Sequence, residues 1–316
     1  MSTTFRASFV WSGLCALSLG FLGSARLSAE ESGIQGPVSG FVLERKALRP
    51  MLGIPGSAHL GDPLAVQADA IGLSPEGSLA LLAREGWLAL LDTRRGTMVR
   101  LETALESPDR FAWNSAGDSV AVYSSAARRA EIWRDMKTTP RTGVTIDLAA
   151  AGGPVSALAF DGVRLLVGTS TGVYRAGERE TRLLTPLASP VSLALNGKAA
   201  FAAAPTQIWQ IEDYAGAATP MLFLDERTGI GSIAGIRVAG GGKRLVVAGA
   251  RSLDLFEIDT RNSLAHADLD FDATRLEGIG SARLAALNIT SGREPLYIVD
   301  FEDGLGIYFV PAGREQ

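Results

Sequence analysis

Short apolar runs alternate with turn residues along most of the chain. The clearest stretch is residues 70–92, AIGLSPEGSLALLAREGWLALLD, in which three apolar runs are separated by SPEG and REG. The runs are too short for ordinary helices, and glycine bounds them on both sides. Pro75 presets φ for a turn corner, and Gly77 accepts the positive φ that such turns need. The stretch therefore predicts strand, tight turn, strand, turn and strand.

The same unit recurs to the end of the chain. Its first-turn glycines are Gly77, Gly117, Gly162, Gly197, Gly242 and Gly280. The run after each glycine is apolar at nearly every position, for example SLALLA and KRLVVAG. The third run of five units closes on an aspartate, which suits the first position of a turn. These aspartates are Asp92, Asp135, Asp213, Asp259 and Asp300.

A unit of about 40 residues built only from strands predicts a β-propeller, whose blades are four-stranded antiparallel sheets that bury their faces against one another. The fold class is therefore all-β. Six units predict six blades, and seven is the alternative if residues 35–62 supply enough strands. That segment could instead complete the last blade. The domain prediction is a signal peptide at 1–29, an N-terminal segment with ring-closing strands at 30–62, and the propeller at 63–316.

The N-terminus has the pattern of a secretory signal. Arg6 precedes an apolar run from Phe9 to Leu22, and small residues follow up to Ala29. Cleavage is predicted after Ala29, with Ala25 as the other position. An uncleaved anchor is the alternative, although the run is short for a membrane span. The sequence thus predicts an exported bacterial protein, periplasmic or extracellular, with no membrane insertion after cleavage.

Charge and cysteine content exclude several classes of function. The formal net charge is −4 and the isoelectric point is about 5.4, so no positive field attracts nucleic acid. The one cysteine is Cys15, inside the predicted signal. The mature chain therefore has no disulfide, no cysteine-rich zinc site and no cysteine nucleophile.

The pattern resembles secreted bacterial propellers of the WD40-like and YVTN-like type. In these, an SPDG turn leads into an apolar strand, and the next strand ends in Asp. Here the resemblance covers residues 63–313 and is most specific at Ser74-Pro75-Glu76-Gly77. The Gly-His and Trp-Asp pairs of eukaryotic WD40 repeats are absent from the sequence. The resemblance implies the fold and a role in binding other molecules, and it brings no catalytic residue.

Three motifs suggest chemistry but lack the context that it requires. Residues 168–172 read GTSTG, a nucleophile-elbow pattern, and residues 229–234 read GIGSIA, a dinucleotide-binding pattern. Each needs a helix after the turn, whereas the sequence predicts a strand after both. Residues 268–272, DLDFD, would place three carboxylates on one face of a solvated outer strand, and a weak cation site is the alternative interpretation.

The first strand of each blade lines the channel, and ligands of propellers bind at its mouth. The polar residues on or just before these strands are Asp69, Arg110, Ser156, Ser192, Ser232, Arg275 and Glu277. We predict these as the ligand-binding residues of a monomeric, non-catalytic module that engages a protein, peptide or glycan, with no cofactor, metal or catalytic residue. The alternative is a metal-dependent, lactonase-like hydrolase that uses Asp69 and Glu277.

Overall fold

The computed structural model describes residues 36–311, except for 45, 66, 85 and 289–295. It is a β-propeller of seven antiparallel sheets, one of three strands and six of four strands. The only helical elements in the described ranges are 3₁₀ turns at Ala149–Ala151, Glu226–Thr228 and Gly240–Gly242. In this part of the chain no helix is both long and apolar enough to cross a membrane.

Blade 1 contains β1 (Val38–Glu44), β2 (Ala47–Leu52) and β3 (His59–Leu60). The four-stranded blades follow in chain order: blade 2, β4 (Ala70–Leu73), β5 (Leu79–Arg84), β6 (Trp87–Asp92) and β7 (Thr97–Leu101); blade 3, β8 (Arg110–Trp113), β9 (Val120–Ser124), β10 (Arg129–Arg134) and β11 (Arg141–Asp147); blade 4, β12 (Val155–Phe160), β13 (Leu165–Thr169), β14 (Gly172–Ala176) and β15 (Thr181–Thr185); blade 5, β16 (Ser192–Asn196), β17 (Ala199–Ala204), β18 (Gln207–Glu212) and β19 (Thr219–Leu224); blade 6, β20 (Ile233–Ala239), β21 (Arg244–Gly249), β22 (Ser252–Glu257) and β23 (Ser263–Asp268); and blade 7, β24 (Leu276–Gly278), β25 (Leu284–Leu287), β26 (Leu296–Asp300) and β27 (Gly306–Val310).

Turn chemistry explains why each repeat folds into its hairpins. All six predicted turn glycines have positive φ, from 58° at Gly197 to 102° at Gly162. The Asp92 and Asp300 carboxylates accept backbone N–H bonds two residues ahead, as predicted for turn aspartates. Asp135 differs, because its carboxylate pairs with Arg141.

Burial between blades explains why the second strands are apolar throughout. In β9, β13 and β17 every residue is buried. Among the described residues there are seven hydrophobic clusters, and each joins two neighbouring blades. One of them contains Val42 of blade 1 and Ile298 of blade 7, and another contains Phe41 of blade 1 and Leu82 of blade 2. The ring therefore closes through blade 1.

Blade 1 differs from the others in strand direction. The Lys46 ammonium, in the turn between β1 and β2, lies 2.6 Å from the carboxylate of Asp69, where β4 is about to begin. The first strands of blades 2–7 begin at the end of the propeller where this ion pair lies, whereas β1 ends there. β1 therefore runs opposite to the first strands and takes the position of a second strand. Within the described part of blade 1, no strand lines the channel. The inner edge of β1 instead meets blade 7, where the Phe41 N–H donates to the Ile279 carbonyl at 2.8 Å.

The first strands of blades 2–7 contact one another in sequence around the channel. We call the end where these strands begin the start rim and the end where they turn into the second strands the turn rim. A strand advances about 3.3 Å per residue, so two residues five positions apart on one strand are separated by about 16 Å. The two rims are therefore distinct surfaces.

The all-β propeller class is as the sequence predicts. The blade number is seven, the alternative, rather than the six that the repeats predict, because residues 38–60 form a sheet of their own. Residues 168–172 form a hairpin in which Thr169 pairs with Gly172, and β14 follows. In the 229–234 segment β20 already begins at Ile233, so the prediction of a strand rather than a helix is confirmed at both motifs. The prediction that 268–272 lies on one strand is wrong, because β23 ends at Asp268. The predicted signal, 1–29, lies outside the described residues.

Candidate functional site

A cavity of about 510 Å³ lies at the turn rim. That volume is in the range of small-ligand pockets. Five consecutive blades contribute to its wall, mostly through residues at the ends of first strands and in the turns after them. The lining residues are Ser115 of blade 3; Phe160 and Asp161 of blade 4; Leu195, Asn196, Gly197 and Tyr214 of blade 5; Arg237 to Gly242 of blade 6; and Ala282 of blade 7.

The negative charge of the Asp161 carboxylate, in the cavity wall, is balanced by Arg164 of the same blade. One of its oxygens accepts the backbone N–H groups of Val163 and Arg164, at 2.7 Å and 2.6 Å. The other accepts the Arg164 guanidinium at 3.2 Å and the Tyr214 hydroxyl at 2.9 Å. Burial raises the pKa of Asp161, but these four hydrogen bonds outweigh it and hold the pKa below its ordinary value. Asp161 is therefore an ionised, fully bonded group at neutral pH.

Tyr214 ties blade 5 to blade 4 through that hydrogen bond. Its side chain is buried, with 2% of its surface exposed. Burial and the hydrogen bond to the Asp161 carboxylate both raise the pKa of the phenol. Tyr214 therefore stays protonated and acts as a hydrogen-bond donor at any ordinary pH.

Arg237 has a different set of partners, which are all neutral. It lies on β20, and its guanidinium reaches blade 7, where Nη2 donates to the Ser281 carbonyl at 2.8 Å. The guanidinium carbon lies 5.8 Å from the centre of the Phe301 ring, within the range of a cation–π contact. Nη1 occupies the space that a Cβ on Gly278 would need, so a larger residue at that position would displace the guanidinium.

No described carboxylate lies within ion-pair distance of Arg237, since it appears in none of the salt bridges of the described residues. Burial lowers the pKa of the guanidinium, but arginine remains cationic in proteins. Because the charge of Asp161 is balanced by Arg164, Arg237 is the uncompensated charge among the residues of the cavity wall.

The glycine turn at 240–242 forms one side of the opening. All three residues have positive φ. Nothing lies within 4 Å of the position of a Cβ on Gly241, so this part of the turn faces open space. The Asn196 amide donates to the Gly242 carbonyl at 2.7 Å, which fixes the turn against blade 5.

The residues predicted from the sequence lie near the start rim, at the opposite ends of the same strands. Three of them use their polar groups to connect neighbouring blades. Arg110 donates to the Ser156 carbonyl at 3.1 Å, the Ser156 hydroxyl donates to the Pro190 carbonyl at 2.7 Å, and the Ser192 hydroxyl donates to the Ile236 carbonyl at 3.4 Å. These contacts are structural links around the channel.

The two acids of the hydrolase alternative each have a cationic neighbour. Asp69 pairs with Lys46 at 2.6 Å, and Glu277 pairs with Arg275 at 2.9 Å. Ser232 is exposed in the loop before β20. Among the residues that the structure describes, no group of three or more His, Cys, Asp or Glu side chains is arranged to hold a metal ion.

Sequence reasoning missed Asp161, Asn196, Tyr214 and Arg237. Three of these carried a usable signal. Asp161 and Asn196 directly precede the turn glycines of their repeats. Arg237 is also a charged residue inside an otherwise apolar first strand, IAGIRVA. Tyr214 gave no signal, since only the packing of blade 5 on blade 4 brings it to the site.

No protein-family model matches this chain, and a comparison with curated proteins finds no match either. The resemblance to WD40-like and YVTN-like propellers therefore remains a prediction beyond the fold itself.

Proposed function

We propose that this chain is a non-catalytic binding module of the bacterial envelope or exterior, which engages a protein, peptide or glycan at the turn rim of the propeller. The observation that carries the proposal is the cavity of about 510 Å³ to which five consecutive blades contribute. Its polar groups come from separate repeats, as is usual for ligand sites at the meeting point of several structural units. The turn rim is favoured over the start rim, because the polar groups of the start-rim residues are largely engaged in blade-to-blade contacts.

A blocking variant tests the proposal. Ser115 is exposed and lines the cavity, whereas Ala116 is exposed in the same turn without lining it. Ser115→Trp should close the opening, and Ala116→Trp is the matched control. Fluorinated fragments of mixed charge would be screened by NMR against the three proteins. Fragments that bind the wild type and Ala116→Trp but not Ser115→Trp support the proposal, and binding that Ser115→Trp leaves unchanged contradicts it.

Export is tested separately. Expression of the full chain in a bacterial host, followed by mass spectrometry, should give a mature protein that begins at Glu30 or Arg26. A chain that keeps residues 1–25 in the cytoplasmic fraction would contradict the export proposal. Elemental analysis of the same protein, purified without chelator, addresses the hydrolase alternative, which requires one firmly bound divalent ion per chain.

A further inference from the structure

We propose that the cavity at the turn rim receives a carboxylate joined to an apolar body, and that Arg237 binds the carboxylate. This inference rests on the proposed function, because it names the chemistry recognised by that same site. Its starting point is the charge balance of the wall, in which Asp161 is paired with Arg164 and Arg237 has no described acidic partner.

The geometry of Arg237 suits anion recognition. Its contacts with the Ser281 carbonyl and the Phe301 ring hold the guanidinium in place before any ligand arrives. A guanidinium presents five N–H donors, and only Nη2 is engaged in a hydrogen bond with the described residues. The remaining donors can therefore bind an acceptor, and a planar carboxylate matches their arrangement.

The energetics favour an anion over a neutral group. A partly buried cation without a counterion has lost some of its hydration and gains only neutral partners in return. A bound carboxylate would supply the missing charge in an environment that screens it less than bulk water does. A neutral amide of the same shape would accept one hydrogen bond but would leave the charge unbalanced.

The rest of the wall determines what carries the carboxylate. Phe160, Leu195, Val238, Ala239 and Ala282 provide an apolar surface around the same cavity. A strongly hydrated body such as a sugar ring would lose water there without compensation. An aromatic or aliphatic acid fits better, either as a free small molecule or as the C-terminal residue of a peptide.

Calorimetric titration with benzoate and with benzamide tests the inference, because the two probes share size and shape but differ in charge. We expect benzoate to bind the wild type about tenfold or more tightly than benzamide, as a charge-assisted hydrogen bond contributes. Arg237→Gln should remove this preference. Arg244→Gln is the matched control, because Arg244 also donates from blade 6 to a blade 7 carbonyl, that of Glu302 at 2.9 Å, but lies outside the cavity wall.

A second variant, Gly278→Ala, tests the inference independently in case Arg237→Gln does not fold. Gly278→Ala retains every charge and displaces the guanidinium, because the new methyl group takes the position of Nη1. It should weaken benzoate binding and leave benzamide binding nearly unchanged. N-acetylphenylalanine, compared with its amide, shows whether a peptide C-terminus is accepted as well as a free acid.

The outcomes separate the inference from the proposed function. If both probes bind equally and Ser115→Trp blocks both, the carboxylate inference is overturned and the binding cavity stands. If neither probe binds and the fragment screen finds no ligand that Ser115→Trp blocks, both fail. Equal loss of benzoate binding in Arg237→Gln and Arg244→Gln would also overturn the inference, because the effect would then reflect overall charge.

Discussion

Removing the Tyr214 hydroxyl tests how the cavity wall is held together. In Tyr214→Phe the buried ring remains, and only the 2.9 Å hydrogen bond to the Asp161 carboxylate is lost. A hydrogen bond to a charged group contributes about 1.5–3 kcal/mol. Asp161 keeps three other hydrogen bonds, so we expect the lower half of that range, about 1.5–2 kcal/mol of unfolding free energy. Urea denaturation at neutral pH would measure it as a lower midpoint at constant slope.

Tyr174→Phe is the control for this prediction. The Tyr174 hydroxyl lies 2.9 Å from the Thr171 hydroxyl, an exposed and uncharged partner, so its loss should cost about 0.5 kcal/mol or less. Equal losses in the two variants would refute the assignment of a charge-assisted bond to Tyr214.

The same variant has a predicted pH dependence. The pKa of Asp161 in the folded protein is below its ordinary value of 3.8, so the stability that its ionised form contributes is present above pH 3.8 and is lost as the pH falls through the folded-state pKa. The difference between wild type and Tyr214→Phe should therefore shrink at the acid end. A difference that grows as the pH falls through the acid range would contradict this account.

Three further predictions concern other parts of the ring. Glu131 is 3% exposed, and its carboxylate accepts hydrogen bonds from three neutral donors. Glu131→Ala should therefore lower the free energy of unfolding, measured by thermal unfolding, by about 3 kcal/mol, and a loss below about 1 kcal/mol would refute this. The pKa of His266 is raised by its hydrogen bond to the buried Asp254 carboxylate, so the stability that the protonated ring contributes is present below pH 6.5 and is lost as the pH rises through the folded-state pKa. His266→Gln should therefore lower the melting temperature in mildly acidic buffer and have little effect in alkaline buffer. The opposite trend would contradict this prediction. A Cβ on Gly280 would lie 2.5 Å from the Gly77 Cα at the contact between blades 7 and 2, so Gly280→Ala should destabilise by about 2–3 kcal/mol, clearly more than Gly96→Ala, which has a similar positive φ and open space around it.

The repeats made the fold predictable because each one carries local signals. A turn glycine with positive φ and an apolar second strand are properties of a single hairpin, and they recur six times. The sequence between β1 and β2 of blade 1 contains no glycine, so this local signal is missing there and the blade number stayed open. Its place is determined by packing, through Phe41 against blade 2 and Val42 against blade 7.

The candidate site was less predictable, because burial and pairing decide which polar residues remain available. Ser156 and Ser192 follow the expected pattern for channel-mouth residues, yet their hydroxyls are used between blades. Whether Arg237 has an acidic partner depends on contacts with blade 7 that are distant in sequence. Sequence position identified the first strands correctly but could not show which rim contains the cavity.

Hydrogen–deuterium exchange with and without saturating benzoate tests the central claim most directly, because it reports which rim the ligand covers. We expect slower exchange in peptides that contain Arg237 and the 240–242 turn, with no change at Arg110 and Ser156 on the start rim. Protection confined to the start-rim peptides would contradict the assignment of the ligand site to the turn rim.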